Sequence, residues 1–256
     1  MFLTIKSQSI LALVLAAGMA GSVAKGDLIH RYSFTDGAKD SVGKLDGKLV
    51  GDGAKVDAGK LTLKNEATTP PEKISHVEFP GALIPKGSKA ASLAIWFTAK
   101  DTQPFSRLID IGDIENAEGR SFIYVSPRTA DDQARAAITS TDVSGRIPLD
   151  NTRLDDDKPH CLIITFDDTA KKMHVFIDGK EPKPAEDITD APLSTVNPVV
   201  NRLGRSLFDV DPGLSATIDE FRVYDKALSA DDVAAIQKAG PDALPAAAPA
   251  TQPARN

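Results

Sequence analysis

The stretch that most constrains this chain is ATIDEFRVYDKALSADDVAAI, residues 216–236. Its first half, residues 217–225, is rich in β-branched and aromatic types. It alternates, with Phe221 and Val223 on one face and Glu220 and Arg222 on the other, which predicts a half-buried strand. Ser229 follows as a helix N-cap with Asp232 three residues on, a capping-box arrangement, and Leu228 precedes the cap where it can staple onto Val233. A helix of about three turns is expected, ended by Ala239-Gly240-Pro241, where glycine supplies a left-handed residue and proline cannot continue the helix. A helix that short is unstable in isolation, so its Val233 and Ile236 face must dock on a larger body.

The rest of the chain supplies a β body. Residues 28–34 alternate as an opening strand and run into turns at Asp36-Gly37 and Asp40-Ser41-Val42-Gly43. Strands are expected near residues 61–63 and 76–79, then at 92–98, which carries the sole tryptophan, Trp96, and at 107–111, 121–126 and 134–139. Two apolar runs, 158–167 and 173–179, are joined through a loop at Asp168–Lys171 and read as a hairpin, and a further strand is expected within 199–208. No strand alternates with a long helical pattern, which excludes a doubly wound α/β sheet. The expected class is therefore all-β, a two-sheet antiparallel sandwich with a short C-terminal helix, in one domain from 27 to 240. Residues 241–256 are Pro/Ala-rich without periodicity and predict a disordered tail.

Charge and the N-terminus narrow the setting. The net charge is −6 and no basic stripe stands out, which argues against a nucleic-acid partner. Lys6, the apolar run 10–17 and the small residues Ser22-Val23-Ala24 form a secretory signal over residues 1–24. That run is shorter than the ~20 residues of a membrane span, so the mature protein is expected to be soluble, secreted or periplasmic, with no membrane span. Cys161, the single cysteine, lies in an apolar run, which predicts a buried, inert thiol and no internal disulfide.

The run from Thr217 to Ser229 resembles the closing strand and helix of laminin-G-like jelly-roll domains, in the concanavalin A-like lectin/glucanase superfamily, whose usual form is roughly G-x-I-D-E-[VF]-R-[IV]-Y-[ND]-x-A-L-[ST]. The opening strand with its Asp40-Ser41-Val42-Gly43 turn, the Trp96 strand and the hairpin ending Ile177-Asp178-Gly179 are similar to other parts of that pattern. The hairpin departs from it in having Pro159 where the family usually has Trp, and Cys161 where a second His is common. The resemblance implies a jelly-roll sandwich that binds a glycan or an extracellular protein. It also implies a structural calcium between the opening turn and the final strand, held by Asp40 and Asp219 with carbonyls of residues 36–43. The alternative is that Asp40 caps its own turn and Asp219 holds a loop through hydrogen bonds.

Other candidate chemistry is sparse. Glycoside hydrolases of this superfamily carry E-x-D-x-x-E, with paired carboxylates acting as nucleophile and acid. The nearest string here runs from Asp110 to Glu115, and alternation places Asp113 and Glu115 on one face and Asp110 on the other; otherwise it is a strand end entering a polar loop. Asp155-Asp156-Asp157 is a second calcium candidate, against a reading as solvated loop charge. His30, His76, His160 and His174 are dispersed without metal-ligand spacing. Tyr32, Tyr124 and Tyr224 could stack on sugars or pack at a sheet face. The reading is a secreted, non-catalytic binding or structural module for a glycan or an extracellular protein. A divergent glycoside hydrolase or lyase of the same superfamily, and a subunit of an extracellular assembly, stand as alternatives.

Overall fold

A computed structural model describes residues 28–140, 144–149 and 152–244. The expected signal segment and the tail beyond residue 244 lie outside the described residues. The strands are β1 (Leu28–Tyr32), β2 (Lys48–Val50), β3 (Ala54–Asp57), β4 (Lys60–Leu63), β5 (His76–Phe79), β6 (Ala90–Lys100), β7 (Ile109–Glu115) and β8 (Glu118–Ser126). They continue as β9 (Ala134–Thr139), β10 (Ser144–Leu149), β11 (Asp156–Asp167), β12 (Lys172–Ile177), β13 (Glu186–Asp187), β14 (Val200–Leu203) and β15 (Ala216–Tyr224), and the helix α1 spans Ala230–Ala239. One sheet has the order β13-β12-β11-β6-β15-β4-β3, with β1 also paired to β15; the other runs β10-β9-β8-β7-β14-β5-β2. Neighbours pair antiparallel, and the expected sandwich is what forms. The hairpin is in the expected place, with Asp167 opposite Lys172.

The main core lies between the sheets, where alternation sends Leu93, Ile95 and Phe97 of β6, Leu162 and Ile164 of β11, and Phe221 and Val223 of β15. These central strands are not polar on their other side. Ala94, Trp96, Cys161, Ile163 and Tyr224 form a second buried cluster with Leu228, Val233 and Ile236, so α1 lies over the outer face of this sheet. Ser229 accepts from the Asp232 backbone N–H while the Asp232 carboxylate accepts from the Ser229 N–H, which closes the capping box. Burying Leu228, Val233 and Ile236 contributes about 1.5–3 kcal/mol each and supplies the stability the helix lacks alone. Gly240 ends it with φ 75° and ψ −172°, a region essentially reserved for glycine, rather than in the expected left-handed helical region.

The half-buried strand expected at 217–225 is corrected to one buried on both faces from Glu220 to Tyr224. Glu220 is 1% exposed and Arg222 0%. Arg222 Nε donates to Glu220 Oε1 (2.6 Å), as does Arg31 Nε (2.6 Å). Arg222 Nη2 donates to the carbonyls of Gly240 (3.2 Å), Pro241 (2.7 Å) and Ala243 (2.9 Å), and its guanidinium lies 4.6 Å from the Trp96 ring centroid. The polar face is therefore closed over by residues 240–244, which occupy arginine donors that alternation alone would leave to water. Cys161 is buried as expected, and burial pushes its thiol up to about 12.

Candidate functional site

On the outer face of the second sheet, strand register lines up Lys48, Glu78, Arg202, Asp110, Tyr124 and Ala137. Their neighbours Ile109, Ile111, Ile123, Val125 and Leu203 point into the core. A segment following β14, residues 204–213, folds back over this row. It begins at Gly204 (φ 92°), where a Cβ would run into Leu63, so the turn requires glycine. Leu207 then joins Phe122 and Tyr124 in a small apolar cluster, with Phe208 edge-on to Phe122.

Ion pairs hold the segment down. The Leu207 N–H donates to Asp110 Oδ2 (3.1 Å), and Arg107 Nε lies 3.3 Å from the same oxygen. Arg107 Nη2 donates to Asp211 Oδ2 (3.1 Å), which also accepts from Ser206 Oγ (2.7 Å). Arg202 Nη1 donates to the Ser206 carbonyl (3.2 Å), and Arg205 Nη2 donates to Asp209 Oδ1 (3.1 Å). Arg107 also lies over Tyr124, its guanidinium 4.0 Å from the ring centroid, a cation–π contact. Asp110 is 0% exposed, and burial pushes its carboxyl up to about 7 against the pull of Arg107 and the Leu207 N–H. Asp110 Oδ1 and Arg107 Nη1 have no hydrogen-bond partner among the described residues.

Beside this anchored segment lies a cleft of about 640 Å³, within the ~300–1,000 Å³ range of ligand pockets. Pro71, Ile74, Pro104, Val210 and Pro212 give it apolar walls, and Thr69, Gln103, Asp209 and Asp211 give it polar groups. Val210, 91% exposed, stands at the tip of its loop. Across Thr69 a second cleft of about 370 Å³ is lined by Asp52, Glu66 and Glu72 with Lys64 and Lys73.

The expected metal ligands have different partners. Asp40 Oδ1 accepts from the N–H groups of Arg31 (3.0 Å), Val42 (3.1 Å) and Gly43 (2.9 Å), and Oδ2 meets His30 Nδ1 (2.6 Å) and the Leu45 N–H (3.2 Å). Burial raises this carboxyl, but His30 and the N–H groups outweigh it and hold it below the usual carboxylate range. Calcium needs a shell of oxygens, whereas Asp40 is surrounded by donors, so its contacts are those of the turn cap. Asp219 pairs with Lys60 instead. Asp40 and Asp219 thus engage N–H groups with His30 and Lys60 respectively, and among the described residues no group of three or more His, Cys, Asp or Glu side chains gathers as a metal site.

The other candidates also separate. Asp155 is bound by Thr102 and Arg153, Asp156 by Lys158 and His160, and Asp157 by Lys100. Asp110 lies beneath the 204–213 segment, whereas Asp113 accepts from the Ser121 N–H and Asn197, and Glu115 pairs with Arg120. A bulge between Gly112 and Ile114 interrupts the alternation assumed for this string. Tyr32, Tyr124 and Tyr224 are buried and pack at sheet faces, so none is an exposed sugar platform. Each histidine has a local partner: Asp40 for His30, the Ile74 carbonyl for His76, Asp156 and Asp178 for His160, and Glu181 for His174. Sequence reasoning missed Arg107 and the cleft. The available signal was proline placed in three separate loops, at Pro71, Pro104 and Pro212.

No helix among the described residues is long and apolar enough to cross a membrane. No curated protein matches the sequence. Among solved structures, domain 4 of AbnA, a GH43 extracellular arabinanase from Geobacillus stearothermophilus, in complex with arabinotriose, superposes with a TM-score of 0.60 at 19% identity, over 81% of this chain and 96% of that one. The receptor-binding domain of botulinum neurotoxin C/D mosaic serotype gives 0.60 at 14% identity, over 84% of this chain and 51% of that one. The binding domain of botulinum neurotoxin DC in complex with rat synaptotagmin II gives 0.56 at 11% identity, over 81% and 50%. The chain thus spans about half of each neurotoxin fragment, and at these identities the likeness is one of fold. A laminin-G family model matches residues 72–234, which include β5 to β15 and the first half of α1, and on that match the chain belongs to the concanavalin A-like lectin/glucanases superfamily.

Proposed function

We propose that this protein is a non-catalytic carbohydrate-recognition module, exported through its N-terminal signal, that binds an oligosaccharide in the cleft between residues 67–74, 103–104 and 209–212. The observation that carries this reading is the cleft itself, about 640 Å³, with apolar walls and polar groups of which Asp211 is held by buried Arg107 and Asp209 by partly buried Arg205. Pyranose and furanose rings present apolar C–H faces and hydroxyl edges, and this lining offers a surface to each. The arabinotriose bound to the AbnA domain supports a sugar ligand for this fold. Asp110, Asp113 and Glu115 each engage a different partner, which supports a structural role for that string and leaves the cleft as the binding site.

A glycan array with the signal-free protein tests the reading, alongside Val210→Arg, which fills the mouth of the cleft from an exposed position. The expected result is binding by the native protein, loss of at least tenfold in the variant at unchanged Tm, and indifference to EDTA. No binding to any glycan, or equal binding by the variant, would overturn it.

A further inference from the structure

The charged groups of the cleft point to the class of sugar. Its ionisable lining consists of Asp209 and Asp211, with no lysine or arginine among the lining residues. Each carboxylate already has a guanidinium partner, Arg205 for Asp209 and Arg107 for Asp211. The Arg107 side chain is only 5% exposed and its Nε is turned to buried Asp110, so this positive charge lies behind the wall while Asp211 lines the cleft. The wall therefore presents carboxylate acceptors to the cleft, with no guanidinium among the residues that line it. Asp211 is further fixed by Ser206, and a carboxylate has about four acceptor sites, more than Arg107 and Ser206 use. Fixed acceptors over an apolar floor suit hydroxyl donors; they repel a ligand's own carboxylate or sulfate. The neighbouring cleft across Thr69 sets three acids, Asp52, Glu66 and Glu72, against two lysines, so it adds no basic counter-site.

Building on the carbohydrate reading, we infer that the cleft selects uncharged, hydroxyl-rich oligosaccharides over uronic-acid or sulfated ones, with Asp211 as a specificity-determining acceptor for adjacent hydroxyls. An acidic glycan meets like charge at Asp209 and Asp211 with no exposed cation in the cleft to compensate.

The test is isothermal titration of the signal-free protein with neutral arabino- and xylo-oligosaccharides and with oligogalacturonides of matched length, at low and high salt. The expected result is a preference for a neutral series of at least tenfold at low salt, which narrows at high salt as the repulsion is screened. Asp211→Asn should weaken the neutral ligand severalfold and shrink the preference, with Asp209→Asn as a second variant in case loss of the Arg107 pair lowers Tm. Equal or tighter binding of the acidic series by the native protein would overturn the inference. The two readings fail differently. If no saccharide binds at all, the carbohydrate reading falls; if acidic sugars bind and Val210→Arg abolishes that binding, only the selectivity falls.

Discussion

Replacing Arg222 with methionine tests whether the ionic cluster under the C-terminal segment stabilises the fold. Arg222 is fully buried, donates to Glu220 at 2.6 Å, and satisfies three carbonyls of residues 240–243 while lying 4.6 Å from the Trp96 ring centroid. Breaking a buried pair by removing one partner costs about 3–5 kcal/mol. Methionine restores part of the packing, and Arg31, also 2.6 Å from Glu220, keeps that carboxylate paired, so the lower end, about 3 kcal/mol, is expected. At about 2–4 °C per kcal/mol for a chain of this size, Tm should fall by roughly 6–12 °C. Glu220→Gln should cost more, because it leaves Arg31 and fully buried Arg222 with no counter-charge between them. The double variant should lose about 1–3 kcal/mol less than the sum of the single losses, since each substitution removes the charge the other strands. Thermal and urea denaturation followed by the fluorescence of Trp96, the single tryptophan, measure Tm and ΔG for all three. A Tm change under about 2 °C for Arg222→Met, or strict additivity, would show that the cluster is energetically idle.

Three further outcomes follow from local contacts. Ser229→Ala opens the capping box and should cost about 1 kcal/mol in denaturant unfolding, with Ser229→Gly costing only a few tenths. Asp110 is an acid raised to about 7 in the folded state, so the native chain binds more protons than the unfolded one between about pH 4 and 7, and its contribution to stability falls as pH rises through that window, by at most about 4 kcal/mol. Asp110→Asn should remove that limb of the stability profile, and parallel profiles for the two proteins would refute the assignment. Cys161, buried and pushed up to about 12, should resist an aromatic disulfide reagent in the native protein and react once in denaturant; fast native labelling would contradict its placement.

Much of the framework was legible because it rests on local chemistry. The capping box at Ser229 and Asp232, the staple of Leu228 onto Val233, the four-residue hairpin loop before Lys172 and the core face of Phe221 and Val223 follow from side-chain type and spacing over a few positions. The short strands β2, β3 and β10 escaped notice because they offer few apolar residues to alternate. The period also misled at two places. Glu220 and Arg222 alternate as a solvent face does, yet the chain's own later residues cover them; and the string from Asp110 to Glu115 breaks step at a bulge.

The sequence by itself determined the class of the fold, its closing strand and capped helix, the inert thiol, and a family resemblance that the match over residues 72–234 bears out. Only the tertiary structure decided where the chemistry gathers. Arg107 meets Asp211 across 104 positions, and the cleft joins loops from three separate parts of the chain, which no local pattern can register. The same holds for Asp40, whose sequence suits both a calcium ligand and a turn cap. The choice between them lies in whether its neighbours in space bring oxygens or N–H groups, and they bring N–H groups.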